Sequence, residues 1–183
     1  MNPLTTNSTG KFSFPAMNGG GNYSVVPVKD IDPLNGVTTL DLVLIQRHIL
    51  DIEGLASPYK LIAADINKDQ AINSLDLVEL RKVILGTQLK FKDNTSWRFI
   101  DGQYKFIDPL FAHTENFVES HEILNFSKDM AIDFVAVKTG DVNESVVANA
   151  STQKKLENRS IVNLKKKKKK VNEGDLVTIP VQI

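Results

Sequence analysis

The sequence predicts an α+β chain: a small all-α domain made of a duplicated loop–helix unit, flanked by short β segments. Three observations predict it. DIDPLNGVTTLDLVLIQRHIL (30–50) and DINKDQAINSLDLVELRKVIL (65–85) align without gaps at an offset of 35, with eight of 21 positions identical. Self-similarity at a fixed period marks a repeated structural unit. Each copy is polar in its first half and periodic in its second, with Leu42, Ile45 and Ile49 on one helical face and Leu77, Leu80 and Ile84 on the equivalent one. The flanking segments instead alternate apolar and polar residues around glycine-containing turns, the period of strands.

Taken in order, residues 10–28 (GKFSFPAMNGGGNYSVVPV) alternate around a glycine-rich turn and predict a hairpin. The two periodic stretches predict helices too short to stand alone, so each needs a partner to bury its stripe, and two copies packed antiparallel supply one. Between them, Ser57-Pro58 is an N-cap and first-turn pair that opens a helix through Tyr59 to Ala64. Leu85-Gly86 is a helix stop. Residues 95–107 (TSWRFIDGQYKFI) read as two short strands turning at Asp101-Gly102, and 131–138 (AIDFVAVK) as another strand. From 149 the chain is linker-like, passes through Lys165–Lys170 and ends on LVTIPVQI, a strand pattern. A chain that opens and closes inside strand patterns is expected to be part of a larger polypeptide. The domain division is 1–28, 29–89, 90–148 and 149–183.

Composition narrows the function. The 183 residues balance 22 basic against 22 acidic side chains, which gives no global field for nucleic acid. The balance is uneven along the chain, since 30–89 holds nine acids and five bases while 151–183 holds three acids and nine bases. With no cysteine and only three histidines, disulfides, thiolate sites, zinc clusters and histidine-based catalysis are set aside. No run reaches the ~18–20 apolar residues of a membrane span, and MNPLTTNSTG has neither the basic nor the apolar region of a signal peptide. The lysine run reads as a solvated linker, because no aromatic or helical pattern accompanies it. Trp97, Phe99 and Tyr104 read as packing on a small sheet rather than a carbohydrate platform.

The chemistry lies in the polar halves of the repeats. Calcium takes about six to eight oxygen ligands, and a twelve-residue loop offers them from positions 1, 3, 5, 7, 9 and 12, the seventh through its backbone carbonyl. In the second repeat these are Asp65, Asn67, Asp69, Ala71, Asn73 and Asp76, with Ile72 as the apolar plug at position 8. In the first, Asp30, Asp32, Gly36, Thr38 and Asp41 fit, with Val37 as the plug. Position 5 there is Leu34, which cannot ligate, so Asn35 or a water would have to serve. Asp141-Val142-Asn143-Glu144-Ser145 begins in the same way, but position 12 would be Thr152 and no helix pattern follows, so the segment reads as a turn.

These duplicated Asp-x-(Asp/Asn) loops, each closing on Leu-Asp-Leu-Val and a helix ending Ile-Leu, resemble the type I dockerin domain over residues 29–88. That family has two calcium loops closing on aspartate, as at Asp41 and Asp76. The resemblance implies Ca2+ as the bound ion and a cohesin domain as the partner. It places recognition at loop positions 10 and 11 and on the following helix: Thr39, Leu40, Gln46 and Arg47, and Ser74, Leu75, Arg81 and Lys82. Leu at position 11 in both copies departs from the family's small polar residue, and Arg47, Arg81 and Lys82 equally suit a solvated helix face. Residues 133–143 (DFVAVKTGDVN) resemble an extension that follows dockerin-like modules in bacterial surface proteins. The 10–28 segment resembles the end of a β-sandwich repeat, and the C-terminal strand the start of a cohesin-like domain.

The function expected is therefore a non-catalytic calcium-binding module for protein–protein docking in a secreted or cell-surface assembly, with a link to polysaccharide degradation. The alternatives are a calcium-stiffened spacer of a surface adhesin and a non-catalytic piece of a polysaccharide-degrading enzyme. Extracellular modules bind calcium with dissociation constants of ~10⁻⁴–10⁻³ M, which fits a location outside the cell.

Overall fold

A computed structural model of the chain describes residues 4–7 and 9–147. The expected linker, lysine run and final strand lie outside these described residues. Three α-helices, α1 (Thr39–Ile49), α2 (Pro58–Ala64) and α3 (Ser74–Ile84), are joined by four short strands, β1 (Tyr23–Val25), β2 (Trp97–Asp101), β3 (His121–Ile123) and β4 (Phe134–Lys138), and a 3-10 segment, Pro109–Thr114.

The two repeats form the same local structure for the same reasons. Thr38 caps α1 and Asn73 caps α3, each in extended conformation and each in a reciprocal capping box with the aspartate three residues on, Asp41 or Asp76. Replacing such a cap by alanine costs ~1 kcal/mol. Basic residues follow in the last turn, Arg47 and His48 in α1 and Arg81 and Lys82 in α3, where they complement the helix dipole. Gly86, at φ +69°, ends the second copy in the left-handed conformation that suits glycine.

Helices α1 and α3 pack on each other, and α2 packs against β4 and the 3-10 segment. Ile45, Ile62, Ile66, Leu80 and Val83 are fully or almost fully buried in one cluster that also takes in Phe91, Ile100, Ala112, Val137 and Val142. Each such aliphatic side chain contributes about 1.5–3 kcal/mol by leaving water. Side chains from beyond residue 90 thus belong to the same core as the repeats.

The strands pair at long range. β2 pairs antiparallel with β4, with Phe99 opposite Ala136, and β1 pairs antiparallel with β3, with Ser24 opposite Glu122. The 10–28 segment therefore contributes one strand to a distant partner instead of closing on itself as a hairpin. Only the first of the two strands expected in 95–107 forms. Beyond the turn, Tyr104 and Phe106 meet edge to face, and Phe106 meets Tyr59 of α2 in the same way, so ring packing takes the place of a second strand. Trp97 is buried at the base of this sheet.

Candidate metal loops and the helix faces beside them

The loop from Asp65 to Asp76 is held by its own carboxylates. Asp65 ends α2 and is buried. Its Oδ1 accepts from the amide of Asp69 at 3.1 Å and its Oδ2 from that of Gln70 at 3.1 Å. Asn67 Oδ1 also accepts from the Asp69 amide, at 3.1 Å. Asp76, fully buried, closes the loop from the other side: Oδ1 accepts from the amides of Ile66 (2.8 Å) and Asn67 (3.2 Å), and Oδ2 from that of Asn73 (2.9 Å). Gln70 and Lys68 sit at positive φ, so the chain turns tightly here without glycine.

Burial pushes the Asp65 carboxyl up from 3.8 to about 6, the amides of Gln70 and Asp69 opposing it and the charge of Asp76 adding to it. Burial raises Asp76 as well, against its three amide donors. Buried charges in proteins are paired or bind metals. Among the described residues no Lys, Arg or His lies within ion-pair distance of Asp65 or Asp76. The donors are all oxygen, which suits a hard cation such as calcium. The three carboxylates do not meet at one point: Asp69 Oδ1 accepts from the Ala71 amide (3.0 Å) and its Oδ2 from Asn67 Nδ2 (2.8 Å). Among the described residues no group of three or more His, Cys, Asp or Glu side chains converges as a ready-made metal cluster. The loop instead mixes carboxylate, amide and carbonyl oxygens.

The first repeat keeps only the second half of this arrangement. Asp41 is fully buried, and its Oδ2 accepts from the amide and hydroxyl of Thr38 at 2.8 and 3.0 Å. Asp30 faces elsewhere. Its Oδ1 accepts from the Ser96 amide (2.9 Å) and hydroxyl (3.0 Å), and its Oδ2 lies 3.6 Å from Lys90 Nζ. These donors, the Ser96 amide first, hold the Asp30 carboxyl below its ordinary value. Asp32 is exposed at positive φ, and Leu34 is exposed at 37%. Asp30 is thus anchored to Ser96, next to β2, while Gly36, Thr38 and Asp41 stay at the start of α1.

What meets Asp41 is the segment after β4. Asp41 Oδ1 accepts from the amides of Val142 (3.0 Å) and Asn143 (3.2 Å). Asp141 is buried; its Oδ1 accepts from the Ser145 amide (3.1 Å) and its Oδ2 from the Val146 amide (2.8 Å), while Asn143 Oδ1 also accepts from Ser145 (3.0 Å). Burial raises the Asp141 carboxyl, and the charge of Asp41 adds to the rise. Spacing alone predicts a turn here, because the partner lies about a hundred residues away in sequence.

The residues expected to meet a partner fall on the outer sides of α1 and α3. Thr39, Leu40, Gln46 and Arg47, and Ser74, Leu75, Arg81 and Lys82, are all exposed. Leu40 and Val43 are 52% and 50% exposed, and their counterparts Leu75 and Val78 are 57% and 45% exposed. The apolar exposure therefore repeats with the duplication. Arg47 pairs with Glu53 at 2.9 Å and Lys82 with Glu79 at 2.6 Å, both on the surface.

Fold and site together define a pair of capped helices, α1 and α3, each with a buried aspartate in its first turn. Residues 29–85 match the family model of the type I dockerin domain. Type I dockerin domains are non-catalytic docking modules that bind calcium, pair with cohesin domains and occur in secreted or cell-surface proteins. No curated protein and no solved structure matches the chain. Among the described residues no helix is long and apolar enough to cross a membrane.

Proposed function

We propose that this chain is a calcium-dependent docking module of a secreted or cell-surface assembly. Asp65, Asn67, Asp69, the Ala71 carbonyl, Asn73 and Asp76 hold one ion, and Gly36, Thr38 and Asp41 contribute to a second. The exposed faces of α1 and α3, centred on Leu40 and Leu75, present the surface to a cohesin-type partner. The observation that carries this reading is the loop 65–76: a segment that matches a calcium-binding family buries two carboxylates, Asp65 and Asp76, with no counter-cation beside either among the described residues.

The ion has a mechanical role. The repeats share one core with residues beyond 90, and Asp41, Asp65 and Asp76 are buried beside it. A ligand present at 100 times its dissociation constant, bound only by the folded state, adds ~2.7 kcal/mol. Calcium would thereby fix the relative position of α1 and α3 and with it the paired leucine faces.

Calcium titration by calorimetry, thermal melts with and without a chelator, and pull-down on immobilised cohesin domains test this reading. Binding of calcium, a melt lowered by chelation and calcium-dependent capture of the chain are expected. A melt indifferent to chelation would overturn the metal role. Calcium binding without capture by any cohesin would leave a spacer of a surface protein in place of a docking module.

A further inference from the structure

We propose that the metal site at the start of α1 is completed by Asp141, Asn143 and Ser145, about a hundred residues downstream, together with the Gly36 carbonyl, Thr38 and Asp41, and that Asp30 and Asp32 take no part in it. The inference rests on the calcium reading above and deepens it by naming which residues form the second site.

Contact for contact, 141–146 does for Asp41 what 65–70 does for Asp76. Asp65 accepts from the amides four and five residues on, and so does Asp141. Asn67 and Asn143 each accept from the amide two residues on. Asp76 Oδ1 accepts from Ile66 and Asn67, and Asp41 Oδ1 from Val142 and Asn143. Ile66 and Val142, one residue after the leading aspartate, are both buried in the core.

Two further observations, separate from these hydrogen bonds, bear on the site: one fixes its geometry and the other its charge. The first is the fit at Gly36. A β-carbon there would stand 2.7 Å from Asp141 Oδ2, 2.6 Å from the Val146 Cα and 2.7 Å from the Val146 nitrogen, and the residue has φ +80°. The two stretches of chain are thus pressed together at position 7, whose backbone carbonyl serves as a ligand in such a loop. Ser145 Oγ lies 2.8 Å from that carbonyl, and the Asn35 side chain pairs with the backbone of Val147, donating to its carbonyl (2.9 Å) and accepting from its amide (3.3 Å). The second observation is charge. Asp41 and Asp141 are both more than nine-tenths buried, and among the described residues neither has a cationic side chain within ion-pair distance. The buried Lys138 donates its Nζ to the Pro33 carbonyl at 2.8 Å and acts on Asp141 only from beyond ion-pair distance. Two buried like charges facing one loop call for a cation between them. Carboxylate, amide, hydroxyl and carbonyl oxygens make it a hard divalent one.

The test is calcium calorimetry on the whole 183-residue chain and on three variants: Asp65→Ala, Asp141→Ala and the double variant Asp30→Ala/Asp32→Ala. The wild type is expected to show two binding events. Asp65→Ala loses one, Asp141→Ala loses the other, and the double variant keeps both. A double variant that loses an event while Asp141→Ala keeps both overturns the inference and leaves the calcium reading intact. A single wild-type event, abolished by Asp65→Ala, does the same. No wild-type binding at all sinks both. Should Asp141→Ala fail to fold, amide NMR of the wild type decides: calcium must shift the Val142, Asn143, Ser145 and Val146 resonances together with those of Gly36 and Thr38. Shifts confined to 65–76 overturn the proposal.

Discussion

The loop at 65–76 is continuous, whereas its counterpart beside α1 is made of two pieces, 36–41 and 141–146. The hydrogen-bond pattern around the closing aspartate is nevertheless the same in both. What this teaches is that the pattern belongs to the aspartate and the helix it caps, not to chain continuity. Asp76 takes its amides from ten and nine residues before it, while Asp41 takes them from 101 and 102 residues after it. The continuous loop costs little closure entropy, since such cost grows only slowly with length but must be met before the contacts form. The split one needs residues beyond β4, itself paired with β2, to be in place, and should be the less secure of the two.

The sharpest way to break the split half is at Gly36. Gly36→Ala is expected to cost about 3–5 kcal/mol, adding left-handed backbone strain to an overpacked contact. The corresponding residue of the continuous loop is Ala71, which is exposed and already carries a β-carbon. Ala71→Gly should therefore change stability by less than about 1 kcal/mol. Urea unfolding of the two variants measures the difference, and equal costs would mean that 141–146 does not press on Gly36.

Val142 offers the next largest effect. Val142→Ala is expected to cost about 2 kcal/mol by opening a small cavity under α1. Hydrogen exchange sharpens the comparison, because the amides bonded to Asp41 should lose protection in this variant while those bonded to Asp76 keep theirs.

An effect of intermediate size follows from protonation. In the presence of a chelator, the folded Asp65 holds its proton up to about pH 6 and the unfolded one only to about 3.8. Between these values the folded chain binds more protons, so stability rises as pH falls from about 6 toward 3.8. Asp76 and Asp141 act in the same direction. Asp30, whose carboxyl is held down, opposes them only when pH falls below 3.8. With calcium present the sign should reverse, since protons then compete with the ion. Melting temperatures across pH 4–7 in chelator and in calcium check both slopes.

The two loops also mark how far the amino-acid sequence could be read. The helices and the closing aspartates Asp41 and Asp76 are legible because periodicity and duplication are local signals; the capping roles of Thr38 and Asn73 emerge only in the structure, and Ser57, expected as a cap, makes no side-chain cap hydrogen bond. Alternation identified Tyr23–Val25, Trp97–Asp101 and Phe134–Lys138 as strand-forming, yet it carries no address, and β1 found β3 rather than a neighbour in its own segment. The same blindness hid the contact between Asp41 and the amides of Val142 and Asn143: the Asp-x-Asn-x-Ser spacing at 141–145 is visible, but the aspartate it meets lies in a helix a hundred residues earlier. The one local hint is Leu34, a residue that cannot ligate at position 5 of the first loop, which marks the first copy as arranged differently from the second.

The smallest effect is where the two copies should agree. Thr38→Ala and Asn73→Ala each remove a side chain that accepts from the amide two residues on, Leu40 at 3.2 Å and Leu75 at 2.8 Å. Each should cost ~1 kcal/mol. These contacts lie wholly within the contiguous half of each unit, so the split elsewhere in the first copy should not change them. Thr38 has one added tie, its hydroxyl to Asp41 Oδ2, which also holds the aspartate toward 142–143. If Thr38→Ala costs clearly more than Asn73→Ala in urea unfolding, the excess measures how tightly that cap is coupled to the distant segment. Equal costs would show that cap and distant segment act independently on the two oxygens of Asp41.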